Sequence, residues 1–309
     1  MNNKKAYKYL TTFCLCFFIN TVVFAQKDSQ KLMIVAYDGL NWYPYILTIA
    51  KKKNKWFKVQ NIKNPLGVTM QPKTGDLFIK DINQKFYHYK MYKSLLSSKP
   101  LNGFNKKNGY TQLRAHDDGL IAVELINGKS RKTKIVSIKS KESKPHIMLK
   151  QVSSQFHPYK YKNYLYYANV SCKLECSPLI QEVWRKNLVS GATKQLSLLN
   201  ATSYLHSVDV NNHHGFLSSN KSGFYHIARI DLQTQKITWI TSGDSTNTFP
   251  SIANNGDLYF IQQKYLTSKL IILKNKQAYL NGNTQNIYQE IPLPSEVQKI
   301  RYLEVSNYE

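Results

Sequence analysis

The chain has 309 residues, with 43 Lys and Arg against 18 Asp and Glu, a formal charge of +25. That length suits one large all-β domain as well as two ordinary ones, and no Pro/Ser-rich linker divides it. Beyond the first 25 residues no apolar run approaches the length of a membrane-spanning helix.

Residues 1–25 read as a secretory signal. Lys4, Lys5 and Lys8 form a basic start, Leu10 to Phe24 is a short, mostly apolar core, and Val23-Phe24-Ala25 predicts cleavage before Gln26. The alternative is an uncleaved anchor, but the core is short for a span of about 20 residues and carries Asn20 and Thr21. Cys14 and Cys16 leave with the leader. Cleavage takes the charge from +25 to +22 and leaves residues 26–309 as the mature domain, periplasmic or secreted. Lysines are spread along the chain, with runs at Lys51-Lys52-Lys53 and Lys129 to Lys134. They read either as a solvated surface or as attraction to a polyanion such as an anionic glycan or lipid. Export makes nucleic acid the least natural partner.

Three strand-like runs follow, Leu32 to Tyr37, Tyr43 to Ala50 and Trp56 to Gln60, with Asp38-Gly39 and the basic run 51–54 as turns. From there a pattern recurs: a short strand, a turn, then an apolar alternating strand. The first copy turns at Lys73-Thr74-Gly75-Asp76 and leaves as Leu77-Phe78-Ile79. The second runs from Tyr110 to Ala115, turns at Asp117-Asp118-Gly119 and leaves as Leu120 to Val123. The third runs from Val152 to His157, turns near Lys162-Asn163 and leaves as Tyr164 to Tyr167. The fourth runs from His206 to Val210, turns at His213-His214-Gly215 and leaves as Phe216-Leu217. The fifth opens at Phe249-Pro250, turns at Asn254-Asn255-Gly256-Asp257 and leaves as Leu258 to Ile261. Asn-Gly and its relatives supply the positive φ that a tight turn needs. Turn residues 75, 119, 163, 215 and 256 are spaced 44, 44, 52 and 41 apart. A period in the forties with several short strands per unit marks a β-propeller.

The start holds three strands, one short of a blade, and Val297 to Val305 is a strand with nothing after it. Deficit and surplus match. The expectation is an all-β, six-bladed propeller with blades near 65–103, 109–150, 152–199, 203–242 and 248–292, and a split first blade of 31–62 closed by 295–306. The outer strands repeat too: Glu182 to Leu188, Ser190-Gly191-Ala192, Lys194 to Ser197, and again Tyr225 to Leu232, Gln233-Thr234-Gln235, Ile237 to Thr241.

These repeats resemble the TolB-type (WD40-like) six-bladed propeller family. The resemblance rests on Pro250-Ser251, Asn255-Gly256, Asp231-Leu232-Gln233-Thr234 and Ile240-Thr241, and spans Leu32 to Val305. It implies a non-enzymatic binding or scaffold module of the bacterial cell envelope, recognising a protein partner at the channel mouth or on the blade faces. Tyr110, Arg114, His157 and His206 lie on or just before the presumed inner strands and are the candidate partner-binding residues.

Two cysteines, Cys172 and Cys176, remain in the mature chain, in the one repeat lengthened to 52 residues. A redox pair wants C-x-x-C beside a βαβ pattern, and a metal site wants further ligands at fixed spacing. A small structural disulfide across the tip of a long hairpin fits better. No nucleophile elbow, phosphate loop or zinc-protease motif is present, and no cofactor is implied. His213-His214 and His116-Asp117-Asp118 sit at predicted turns, where Asp is expected for turn bonding. The rival readings are an electrostatic adhesin for anionic envelope polymers and a propeller lyase or hydrolase with a dispersed active site.

Overall fold

The computed structural model describes residues 30–49, 54–92, 95–101, 108–116, 119–128, 132–139, 144–170, 180–209, 211, 213–274 and 288–306. The signal segment, Lys51 to Lys53, Asp117-Asp118, Cys172 and Cys176 lie outside these residues.

The described chain builds six four-stranded antiparallel sheets. Blade 1 begins with β1 (Gln30–Tyr37), β2 (Trp42–Ile49) and β3 (Lys55–Lys58). Blade 2 is β4 (Gly67–Met70), β5 (Leu77–Lys80), β6 (Phe86–Tyr92) and β7 (Leu95–Pro100). Blade 3 is β8 (Gly109–His116), β9 (Gly119–Leu125), β10 (Thr133–Lys139) and β11 (His146–Leu149). Blade 4 is β12 (Gln155–Tyr161), β13 (Tyr164–Val170), β14 (Gln181–Asn187) and β15 (Thr193–Gln195). Blade 5 is β16 (Ser203–Val208), β17 (His214–Ser219), β18 (His226–Asp231) and β19 (Ile237–Trp239). Blade 6 is β20 (Thr246–Ile252), β21 (Leu258–Lys264), β22 (Thr267–Leu273) and β23 (Tyr288–Ile291). Finally β24 (Lys299–Val305) returns to pair antiparallel with β1, from Leu32 opposite Val305 to Tyr37 opposite Lys299. Sheet order β24-β1-β2-β3 makes this last strand the inner edge of blade 1, the split closure expected from the two ends of the repeat.

Six apolar layers, one between each pair of neighbouring blades, hold the ring. Alternate residues of a strand point to opposite faces, and here both faces are covered. In β1, Leu32, Ile34 and Ala36 join a layer shared with Tyr259, Ile261 and Leu270 of blade 6. Met33 and Val35 of the same strand join Val68, Met70 and Ile79 of blade 2. In β21, Leu258 and Phe260 face blade 5, while Tyr259 and Ile261 face blade 1. Burial on both faces explains why these strands read as unbroken apolar runs. Each fully buried Leu, Ile or Phe in such a layer is worth about 1.5–3 kcal/mol. Among the described residues no helix is long and apolar enough to cross a membrane.

Three local readings change. The inner strand of blade 4 does not begin at Val152, which is fully exposed; it runs from Gln155 through Pro158 to Tyr161. Pro250 does not open its hairpin but lies inside β20. Both prolines are accommodated by irregularities in an inner, edge strand, where a missing N–H does the ladder least harm. Gly256 has the positive φ (86°) of a turn residue, but Gly215 does not. Gly215 sits within β17, where an added Cβ would stand 2.5 Å from Leu205 Cδ1. Its small size serves packing, and Asp209 builds the turn instead by accepting the His213 N–H at 3.0 Å.

Candidate functional site

The inner strands β24, β4, β8, β12, β16 and β20 wall a central channel, and five of them slip register. In β8, Gln112 and Leu113 fall between Thr111, paired with Val123, and Arg114, paired with Ile121. In β12 the extra residues are His157 and Pro158, in β16 His206, in β20 Phe249 and Pro250, and in β24 Arg301. A bulge bends its strand and re-aims its side chains. Gln112, His157 and Phe249 take φ of 51°, 49° and 57°. Left-handed backbone at non-glycine residues costs about 1–3 kcal/mol each and persists only where the surroundings impose it.

The bulged residues converge. Gln112, His157, His206, Phe249 and Arg301 all line one cavity of about 260 Å³ at one end of the channel, together with Arg114 and Tyr302. Its polar side chains are fixed by one another. The Gln112 side-chain oxygen accepts the His157 backbone N–H at 2.6 Å, which settles the orientation of the amide. The Gln112 amide nitrogen then donates to His157 Nε2 at 3.2 Å, so His157 carries its proton on Nδ1. The His157 ring stacks on Tyr204 at 4.1 Å; Tyr204 packs edge-on to His206, and His206 packs on Phe249 at 5.0 Å. Phe249 in turn meets Tyr302 at 5.3 Å.

The cavity floor is a charged plug. Arg114 Nε lies 3.3 Å from Glu304 Oε1, Nη1 donates to the Tyr302 hydroxyl at 3.1 Å, and Nη2 donates to the His206 carbonyl. The guanidinium also lies 5.0 Å from the centre of the Tyr159 ring. The other Glu304 oxygen accepts from Thr69 Oγ1 at 2.8 Å and from the Met70 N–H at 2.9 Å. This network joins blades 1, 2, 3, 4 and 5 across the axis. Removing one partner of a buried pair costs about 3–5 kcal/mol, because the other charge is left unpaired. Beyond the plug lies a second cavity of about 150 Å³, rimmed by Lys73, Lys160 and Lys162, with His116, Ser207 and Ser251.

Burial and the neighbouring Arg114 charge set the histidines. Both push the His157 imidazole down to about 4. His206, 6% exposed, is lowered well below the usual histidine range by burial, Arg114 and His157. Both rings are therefore neutral at pH 7. His206 Nε2 is buried without a hydrogen-bond partner among the described residues. Burial, then Glu304, raises Tyr302, keeping it a neutral phenol.

Among solved structures the chain is similar to TolB from Acinetobacter baumannii, with TM-score 0.64 and 13% identity over 94% of this chain and 70% of that one. It is similar also to a putative TolB from Agrobacterium tumefaciens, with TM-score 0.58 and 11% identity over 85% and 87%. The fold is a six-bladed β-propeller, the fold it shares with TolB. A puromycin-hydrolyzing peptidase from Mycobacterium tuberculosis shares it at TM-score 0.52 and 9% identity, over 80% of this chain and 45% of that one. At these identities the likeness is one of fold. No family model matches the sequence, and no curated protein matches it.

Within this propeller, three of the four residues picked out from the sequence come together: Arg114, His157 and His206 all line the larger cavity. Tyr110 does not join them. It is buried between blades 2 and 3, edge-on to Phe86, with its hydroxyl donating to Glu124 at 3.2 Å. It sits four residues before Arg114, and the bulge between them breaks the period-2 relation that would place both on one face. His116 lines the smaller cavity, 3.3 Å from Ser137 Oγ. His214 Nδ1 lies 3.2 Å from Asp209, an arrangement that orders the β16–β17 turn. Gln112, Phe249, Arg301 and Tyr302 were missed. A signal for one of them was present: His157-Pro158 and Phe249-Pro250 place X-Pro at matching positions of two inner strands, and proline inside a strand marks a bulge.

Proposed function

We propose that the chain is an exported, non-enzymatic binding or scaffold module of the bacterial cell envelope that holds a protein partner at the bulged mouth of its channel. The residues 1–25 leader and a single mature domain, 26–309, belong to this reading. One observation carries it: five independent bulges, three with left-handed backbone at non-glycine residues, converge on one cavity. Strain concentrated there fits a recognition surface shaped at the expense of regular strands. Glu304 lines only the smaller cavity, and both its oxygens are held by Arg114, Thr69 and Met70, which favours support of the wall over proton transfer. The TolB-type fold of the similar structures supports an envelope setting. A second reading draws on Lys73, Lys160 and Lys162 around the opposite mouth, which suit an anionic glycan or lipid.

Capture from envelope extract separates the two. A partner seated on aromatic and hydrogen-bonding groups stays bound through roughly 0.5 M salt, whereas polyanion binding falls steeply by counterion release. Phe249→Ala with His206→Ala should abolish capture in protein that still melts cooperatively, and Lys160→Gln with Lys162→Gln should leave it intact. The reverse pattern refutes the module and supports the adhesin.

A further inference from the structure

The larger cavity has a charge imbalance that its own residues do not correct. Two arginines and two histidines line it, and among the described residues no aspartate or glutamate does. Arg114 is neutralised from beneath by Glu304, on the far side of the plug. Arg301 is not: it donates to the Pro65 carbonyl and stacks 4.6 Å from the Trp42 ring, but pairs with no carboxylate among the described residues. His206 Nε2 is buried and has no partner among the described residues, and a buried polar atom without a partner is expensive. Apart from Thr111 and Gln112, the remaining wall is apolar and aromatic, including Val68, Leu113, Leu205, Phe249 and Tyr302. About 260 Å³ is below the size of a typical small-molecule site, and suits one residue rather than a folded surface or a large ligand.

We propose that this cavity takes the carboxy-terminal residue of a peptide, with an apolar or aromatic side chain against Phe249 and its terminal carboxylate between Arg301 and His206. A carboxylate accepts charge-assisted hydrogen bonds, which are shorter and stronger than neutral ones. With a turn of the His206 ring toward the ligand, it gives the orphaned nitrogen an acceptor when that nitrogen carries the ring proton, and it neutralises Arg301. The side chain meets aromatic surface already ordered by stacking. The proposal rests on the protein-partner reading above and names the part of the partner that enters.

The test uses the mature protein and defined probes, with binding read by calorimetry or by NMR shifts. N-acetyl-Ala-Phe with a free carboxylate should bind, and N-acetyl-Ala-Phe-amide should bind at least about tenfold more weakly. N-acetyl-Glu-Ala-amide, which carries an internal carboxylate, and 3-phenylpropanoate, a free acid without a peptide, should bind more weakly than the acid dipeptide. Arg301→Gln keeps a donor for the Pro65 carbonyl and should weaken the acid about tenfold while leaving the amide unchanged. Lys160→Gln, at the opposite mouth, should change neither. Equal binding of acid and amide overturns the proposal, as does equal binding of phenylpropanoate or of the internal acid, or no binding of the acid dipeptide at about 10 mM. Failure here with capture of an envelope partner intact removes this inference alone. A bound acid dipeptide with no salt-resistant capture removes the module reading alone.

Discussion

The layers between blades and the wall of the channel obey opposite rules, although the same strands build both. In the layers nearly every side chain is apolar; Leu303 of β24, for example, shares a cluster with Leu32, Tyr259 and Ile272. One residue further along the same strand, Glu304 enters a buried ion pair. On the channel side the strands bulge, the backbone takes left-handed conformations, and polar groups depend on partners from other blades. The difference teaches where stability and specificity reside. The layers would hold many different channel walls, and this wall spends stability on shape.

The largest expected effect comes from removing the strand that serves both regions. Deleting residues 296–309 exposes the β1 edge, strips the blade 6–blade 1 layer of Ile300, Leu303 and Val305, and removes Glu304 from beneath Arg114. Open edges recruit other strands. We expect aggregation and loss of cooperative melting; a monomeric truncation with unchanged melting temperature would contradict the closure.

Next come two neighbouring substitutions with similar effects on stability and different effects on binding. Leu303→Ala should lower the unfolding free energy by about 2–5 kcal/mol through cavity formation and leave captured partner unchanged. Glu304→Gln should lower it by about 3–5 kcal/mol by stranding Arg114, and should also weaken capture, because the cavity floor shifts. The pair Arg114→Met with Glu304→Leu should recover most of the stability but not the capture. Denaturant midpoints and pull-downs on the same samples check all three.

A smaller effect is pH-dependent. His157 is held near 4 in the folded protein against about 6.5 when unfolded, and His206 is displaced in the same direction. Below pH 6.5 the unfolded chain binds protons that the folded channel refuses. Their contribution is therefore fully present above about 6.5, declines as pH falls, and flattens for His157 below about 4. The slope is at most roughly 1.4 kcal/mol per pH unit for each histidine. His157→Gln should flatten the profile between those limits; an unchanged profile would show that His157 titrates as it does in the unfolded chain.

The smallest effect concerns Cys172 and Cys176. If these form the short disulfide expected from the sequence, mass spectrometry without reductant finds them linked. The double Ser variant should then melt within about 1 kcal/mol of the parent, since so short a loop gains little from closure.

The sequence made the layers legible and left most of the wall obscure. Turn residues such as Gly75 and Gly256, and runs such as Leu258 to Ile261, are local signals, so blade boundaries and the split closure could be read from them. Arg114, His157 and His206 could be singled out because they lie on inner strands. Gln112, Phe249 and Arg301 were not, because a bulge is a property of two paired strands and leaves little trace in one of them. Gly215 misled for a related reason: it occupies the place of a turn glycine in the repeat, while its role is to make room for Leu205 on a paired strand.

The pairing of β24 with β1 joins residues separated by 262 to 273 positions, with five blades between them. Closing so long a loop costs conformational entropy that contacts within a blade do not. Tyr302 and Glu304 arrive with that strand, so an open ring has neither the plug nor a partner for Arg114. The channel is thus finished by the event that finishes the fold. A folding intermediate with five complete blades would still lack the binding mouth, and ligand binding would register only chains that have closed.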